Sequence, residues 1–158
     1  MAQVVGEEIP DVVTATFDGT DLERKLGLGF VMVTVDPDGQ ARPCMVSAGE
    51  MLVLDRRTIR LGLWSGTSTS RNLAAGSAVL FCHVAEGVVY YLRGHARSLA
   101  ADPEARLDCF ELRVERVETD AHEGLPVTSG ITFTVVDPDP PAVLAMWERQ
   151  LAVIRAAS

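Results

Sequence analysis

Between Leu61 and Leu73 the chain reads LGLWSGTSTSRNL, where a strand-like run ends in six Ser, Thr and Gly positions and a helix begins at Ser-Arg-Asn-Leu. Residues of these types at such a junction suit an anion such as a phosphate. The hydroxyls of Ser65, Thr67, Ser68 and Thr69 and the N–H groups preceding Asn72 can donate, Arg71 brings the loop's only cation, and the positive end of the helix dipole favours negative charge. The same residues also suit ordinary helix capping, in which the hydroxyls serve the chain's own backbone.

Other chemistry finds less support. His83, His95 and His122 are far apart in sequence, and Cys82 and His83 leave a strand on opposite faces, so no local metal-ligand spacing exists. Neither GLGF (Gly27–Phe30) nor any other stretch meets the GxGxxG or GxSxG patterns. The acids of ELRVERVE alternate with arginines, which reads as a solvated strand face laced by cross-strand ion pairs.

The elements that must position the loop follow from punctuation and periodicity. Thr20 with Glu23 has the capping-box spacing for a short helix ending near Gly27. FVMVTV (Phe30–Val35) is apolar almost throughout, as expected of a strand covered on both faces, and the turn Asp36–Gly39 follows it. In VVYYLRGHAR, Val88, Tyr90, Leu92, Gly94 and Ala96 share a dry face opposite Val89, Tyr91, Arg93, His95 and Arg97. FELRVERV alternates likewise, and ITFTVV (Ile131–Val136) is expected as a further strand with Ile131, Phe133 and Val135 inward. After DPDPP (Asp137–Pro141), Leu144, Trp147, Leu151 and Ile154 recur at the spacing of an amphipathic terminal helix. About seven strands and three or four short helices predict a mainly β (α+β) chain, a split antiparallel β-barrel with short peripheral helices and a C-terminal helix.

With 158 residues, 47% of them hydrophobic, the chain is long enough to enclose one core, and residues 1–158 are expected to form a single domain. A net charge of −8, with 14 basic against 22 acidic residues and no basic cluster, argues against nucleic acid as a partner. No apolar run approaches the roughly 20 residues that span a bilayer, and MAQVVGEEIP lacks the basic start of a signal peptide, so the expected location is cytoplasmic. Cys44, Cys82 and Cys109 are odd in number and form no CxxC pair, which suits reduced, buried thiols.

From Phe30 to Leu99 the layout resembles the FMN-binding split-barrel family typified by pyridoxamine 5'-phosphate oxidase. The matching features are FVMVTV, the turn DPDG, ARPCMVSAGEMLVLD, TIRLGLW, the loop SGTSTSRNL, SAVLFCHV and a closing VVYYLRGHARSL. The resemblance implies FMN between the subunits of a homodimer and a small-molecule substrate. It places the flavin ring against the backbone of Met45, Val46, Ser47 and Ala48 and the phosphate on Ser65–Asn72, with Trp64 or Tyr91 as candidates to cover a ring face.

The departures from the family pattern are as informative. The oxidase's adjacent Arg-Lys pair has no counterpart, Ser68 and Thr69 standing in its place. A further arginine and lysine of the family fall near Cys44 and Gly49, and the glutamine that the partner subunit offers the ring falls near Val89. WERQLAVIRAAS carries no Arg-x-His substrate motif. Oxidation of pyridoxamine phosphate is therefore not expected. An FMN-dependent oxidoreductase of other specificity, with no catalytic side chain assigned, is the principal reading. A deazaflavin-dependent reductase of the same fold and a non-catalytic ligand-binding or scaffold barrel are its alternatives, and haem ligation by His83 or His95 is the weakest of the cofactor options.

Overall fold

The computed structural model describes residues 1–136 and 140–158. Its main sheet runs in the order β3 (Ala41–Val46), β2 (Leu28–Val35), β6 (Ala78–Ala85), β7 (Val88–Leu99), β8 (Leu107–Asp120), β5 (Thr58–Trp64) and β4 (Met51–Asp55), with every neighbour antiparallel. Two short strands lie off this path: β1 (Gln3–Gly6) pairs with β8, and β9 (Ile131–Thr132) pairs with β2. The sheet's two ends, β3 and β4, are consecutive in the chain and joined only by the turn at 47–50. The sheet must therefore curl until its ends meet at that turn, yet no ladder closes them among the described residues. This is a split β-barrel.

Alternation fills its interior. Met32, Ile59, Leu61, Phe81, Leu92, Phe110, Leu112 and Val114 face inward and are fully buried. Helix α1 (Asp11–Thr16) adds Val13 and, just past its end, Phe17, whose ring packs edge-on to Phe30 at 4.7 Å and to Phe81 at 5.5 Å. β7 and β8 keep the expected faces as far as a bulge at Arg93/Gly94, where a Cβ on residue 94 would lie 1.8 Å from the Arg113 carbonyl oxygen, so only glycine fits. The outer face carries the expected ion pairs, Arg97–Glu111 and Arg93–Glu118 at 2.8 Å and His95–Glu115 at 3.1 Å.

Helix α4 (Pro140–Ala156) lies on the outer face of β4 and β5, burying Val143, Trp147, Leu151 and Ile154, with Leu144 half-buried. Small residues make room for it: a Cβ at Gly49 would meet Trp147 Cγ at 2.2 Å, and one at Gly62 would meet Ile154 Cγ1 at 2.6 Å. Each of the three large apolar side chains, Trp147, Leu151 and Ile154, contributes about 1.5–3 kcal/mol of burial. The start of this tail, expected from Asp137, lies at Asp137–Asp139 outside the described residues.

Three expectations are corrected. The Thr20–Glu23 capping box does not form: Asp18 takes the Thr20 N–H and hydroxyl at 2.8 and 2.9 Å, and Asp21, at φ +47°, precedes the one-turn helix α2 (Leu22–Lys25). Gly27, at φ +94°, does turn the chain into β2. β2 is not covered on both faces, since Val31 and Val33 are half-buried and Val35 is exposed. Of ITFTVV only Ile131–Thr132 is strand and Ile131 is exposed; Phe133 still donates its N–H to the Gly27 carbonyl at 2.8 Å, and Phe133 and Val135 pack half-buried beside Trp147.

Candidate functional site

Helix α3 (Ser68–Ala74) follows β5 through Ser65, Gly66 and Thr67. Gly66 turns at φ +78°, and Thr67 caps the helix by accepting the Ser70 N–H at 3.2 Å. Two of the hydroxyls at the helix start are already taken up within the chain. Asp108, which β8 sets opposite Leu63 of β5, accepts from Ser65 Oγ at 2.8 Å, from the Gly66 N–H at 3.4 Å and from Ser70 Oγ. These bonds, the one from Ser70 foremost, hold the Asp108 carboxyl below its ordinary pKa. A carboxylate thus occupies the anion position that the loop offers.

The flank of α3 facing β2 and β3 differs. Buried Asn72 donates to Thr34 Oγ1 at 3.0 Å and to Asp36 Oδ1 at 2.8 Å, while Arg42 grips Asp36 Oδ2 through Nε and NH2 at 2.9 and 2.5 Å. Asp36 is accordingly held below its ordinary pKa, by Arg42 first and Asn72 second. Arg71 donates to the Gly66 carbonyl at 2.5 Å and to Ser68 Oγ at 3.1 Å, which leaves further guanidinium N–H groups free to turn outward. Arg42, Ser68, Arg71 and Asn72 line a groove of about 470 Å³. Buried Thr69 contacts the Cys44 thiol on β3, whose pKa burial raises.

β3 is an edge strand, so alternate backbone N–H and C=O groups along Ala41–Val46 have no strand to pair with on the outer side. Met45 is exposed and Val46 buried. The turn beyond is locked, with the Ser47 N–H and hydroxyl both donating to Glu50 Oε2 at 2.7 and 2.8 Å; burial pushes the Glu50 carboxyl pKa up in spite of these bonds. Ala48 is covered by Val143 and Trp147 of α4.

The structure therefore brings Ser68, Thr69, Arg71 and Asn72 to the face of β3 that carries Cys44, leaves Met45 on the opposite face beside Gly29, and turns Ser65 toward Asp108. Trp64 belongs elsewhere: half-exposed, it lines a separate groove with Met146 and Gln150 of α4. The partners absent from the sequence reading are Asp108, Asp36, Arg42 and Glu50. Only strand register places the first three; the Ser47–Glu50 spacing signalled the fourth. Among the described residues no group of three or more His, Cys, Asp or Glu side chains is placed to hold a metal, and no helix is long and apolar enough to cross a membrane.

Solved structures share this architecture. A candidate pyridoxamine 5'-phosphate oxidase of Lactobacillus delbrueckii superposes with a TM-score of 0.56 at 17% identity, over 74% of this chain and 98% of that one. HupZ of Group A Streptococcus gives 0.54 at 15%, over 71% and 99%. An F420 reductase gives 0.50 at 16%, over 59% and 90%. The fold is thus that of the pyridoxamine 5'-phosphate oxidase-like, FMN-binding split barrels. No protein-family profile matches the chain. It is 33% identical over 136 residues to the uncharacterized protein YclD of Bacillus subtilis, spanning 85% of this chain and 87% of that one, and it belongs to the same family as YclD.

Proposed function

We propose that this protein is an oxidoreductase that binds a flavin-type cofactor along the β3 edge and the adjoining flank of α3, as a homodimer. The observation that carries the reading is the juxtaposition of an unpaired strand edge at Cys44–Met45 with the groove holding Arg42, Ser68 and Arg71. On that flank Arg71 keeps free N–H groups beside the Ser68 hydroxyl and would supply the charge-assisted bond to a phosphate, while Arg42 is already paired with Asp36, which lines the groove together with Asp38. The start of α3 does not fit, because Asp108 already holds its donors and would repel a second anion. The β3 backbone would meet the ring's heteroatoms, and exposed Met45 offers it an apolar contact. FMN or a deazaflavin, when bound, supplies the hydride chemistry; the protein orients the ring and keeps water from it. A second subunit would cover the ring face that one chain leaves open.

Adding FMN, and separately a deazaflavin, to the purified protein tests this. Saturable binding with a shifted absorbance band, by a protein that light scattering shows to be a dimer, is the expected result. A monomer that binds neither overturns it. That outcome would favour the scaffold reading, for which the capture of the loop's donors by Asp108 is the supporting observation.

A further inference from the structure

Four ionisable side chains line the groove of about 470 Å³ beside α3: Asp36 and Asp38 from the turn after β2, Arg42 from β3 and Arg71 from α3. Their formal charges cancel. No histidine or lysine lines the groove to change that balance. Arg42 and Asp36 form a closed pair, Nε and NH2 lying 2.9 and 2.5 Å from Oδ2, and this pairing keeps the Asp36 carboxyl below its ordinary pKa and therefore charged.

The donors left for an anion are few. Asn72 gives its amide hydrogens to Thr34 Oγ1 and Asp36 Oδ1 and has none to spare. Arg71, on the exposed side of α3, bonds the Gly66 carbonyl and Ser68 Oγ and keeps its remaining N–H groups. The Ser68 hydroxyl accepts from Arg71 and keeps its own hydrogen. The groove thus matches one negative charge with one free guanidinium. A second charge would enter beside the Asp38 carboxylate with no cation left to meet it, and like charges at close range disfavour ionisation.

Phosphate esters differ in this respect. A monoester carries a charge of about −1.5 to −2 at neutral pH, because its second pKa is about 6, whereas a diester has no second proton to lose and stays singly charged. Resting on the reading that a flavin-type cofactor sets its phosphate here, we propose that the groove selects a singly charged phosphate. The cofactor it takes is one whose phosphate is esterified on both sides, and a terminal phosphate such as that of FMN enters in its monoanionic form.

The probes are FMN and its phosphate methyl ester, which share the ring and the ribityl chain and differ in one ionisation. Calorimetric titration of the wild-type protein compares them at pH 7.5 and 5.5. At pH 7.5 only about 3% of FMN is the monoanion, so the ester should bind tighter by about five- to thirtyfold; at pH 5.5 most FMN is monoanionic and the two should agree within about twofold. Only their ratio is read, so a pH effect common to both probes cancels. Asp38→Asn keeps an oxygen for the Gln40 N–H at 3.1 Å and leaves the groove with a net positive charge, which should lower the ratio at pH 7.5 by about threefold. FMN binding as tightly as the ester at pH 7.5, or a ratio that does not change with pH, overturns the charge selection and leaves the flavin-type reading standing. A ratio that Asp38→Asn leaves unmoved places the phosphate outside this groove and overturns the proposal too. Failure of both probes to bind overturns it together with the flavin-type reading.

Discussion

The loop that opens helix α3 and the cleft between β2 and β6 are opposites. The loop is rich in hydroxyls, yet Asp108 accepts from Ser65, Gly66 and Ser70, and Thr67 is spent on the helix cap. The cleft is apolar and uncharged, yet it holds an imidazole nitrogen with no partner. Polar composition alone therefore does not show which donors the fold leaves unspent. What marks a place for a ligand is unspent hydrogen-bonding capacity, and that depends on which residues the fold sets opposite one another. On this criterion the outward N–H groups of Arg71 on the flank of α3 are unspent, and the donors that Asp108 holds at the start of α3 are not.

The contrast is most easily broken by acid. Burial depresses the His83 pKa from 6.5 to about 4, and the rings of Phe17, Phe30 and Tyr90 surround it without a carboxylate. Between those values the unfolded chain binds the proton that the folded one refuses. The stabilisation from keeping His83 neutral is therefore full above pH 6.5 and is lost as pH falls toward 4, by about 3 kcal/mol in all. Urea unfolding of wild type and His83→Phe at pH 7, 5.5 and 4 isolates this contribution, because the carboxylates are common to both proteins. Parallel pH profiles would mean that the imidazole accepts a proton within the fold and that the cleft is wetter than its lining implies.

On the loop side the next largest effect is expected from Asp108→Asn. The amide keeps one acceptor where the carboxylate served three donors, and the exposed Ser65 and buried Ser70 hydroxyls lose charge-assisted bonds, for a destabilisation of about 2 kcal/mol in thermal or urea melts. FMN affinity is the sharper readout. With the phosphate on the α3 flank, removing the carboxylate leaves affinity within about twofold. A gain of tenfold or more would place the phosphate at the start of α3 and Asp108 in direct competition with it.

Much of the architecture was legible because each strand carries its own signal. The faces of β7 and β8, the turn after Asp36 and the Trp147–Leu151–Ile154 stripe all follow from spacing within one segment. Features set by two segments were not legible. Asp108 is an unremarkable acid at the start of an alternating strand until β8 pairs with β5 and lays it beside Gly66. His83 reads as an ordinary strand residue, and nothing local says that its rung with Phe30 stays unpaired. The resemblance sets the backbone of Ser47 and Ala48 against a flavin ring, and nothing in that segment says that Ala48 and its neighbour Gly49 adjoin Trp147, about 100 positions further along the chain.

Arg71→Ala sharpens the comparison from the flavin side. Arg71 is exposed and its two bonds stay within the loop, so its loss should scarcely move the melting temperature of the cofactor-free protein. Losing one charge-assisted contact should weaken FMN by about 1.5 kcal/mol, measured by calorimetric titration. Unchanged affinity would remove Arg71 from the phosphate site and leave Arg42 and Ser68 to hold it.

The smallest effect separates capping from recognition at one atom. Thr67 Oγ1 accepts the Ser70 N–H at 3.2 Å, and loss of such a cap costs about 1 kcal/mol, so Thr67→Ala should lower stability by that amount while FMN affinity stays unchanged. Thr67→Ser, which keeps the oxygen, should restore most of the lost stability. The reverse pattern, with stability intact and affinity reduced in Thr67→Ala but recovered in Thr67→Ser, would show that the hydroxyl belongs to a ligand. The start of α3 would then have unspent capacity after all, and the distinction between a self-satisfied loop and an unsatisfied cleft would fail at its most exposed residue.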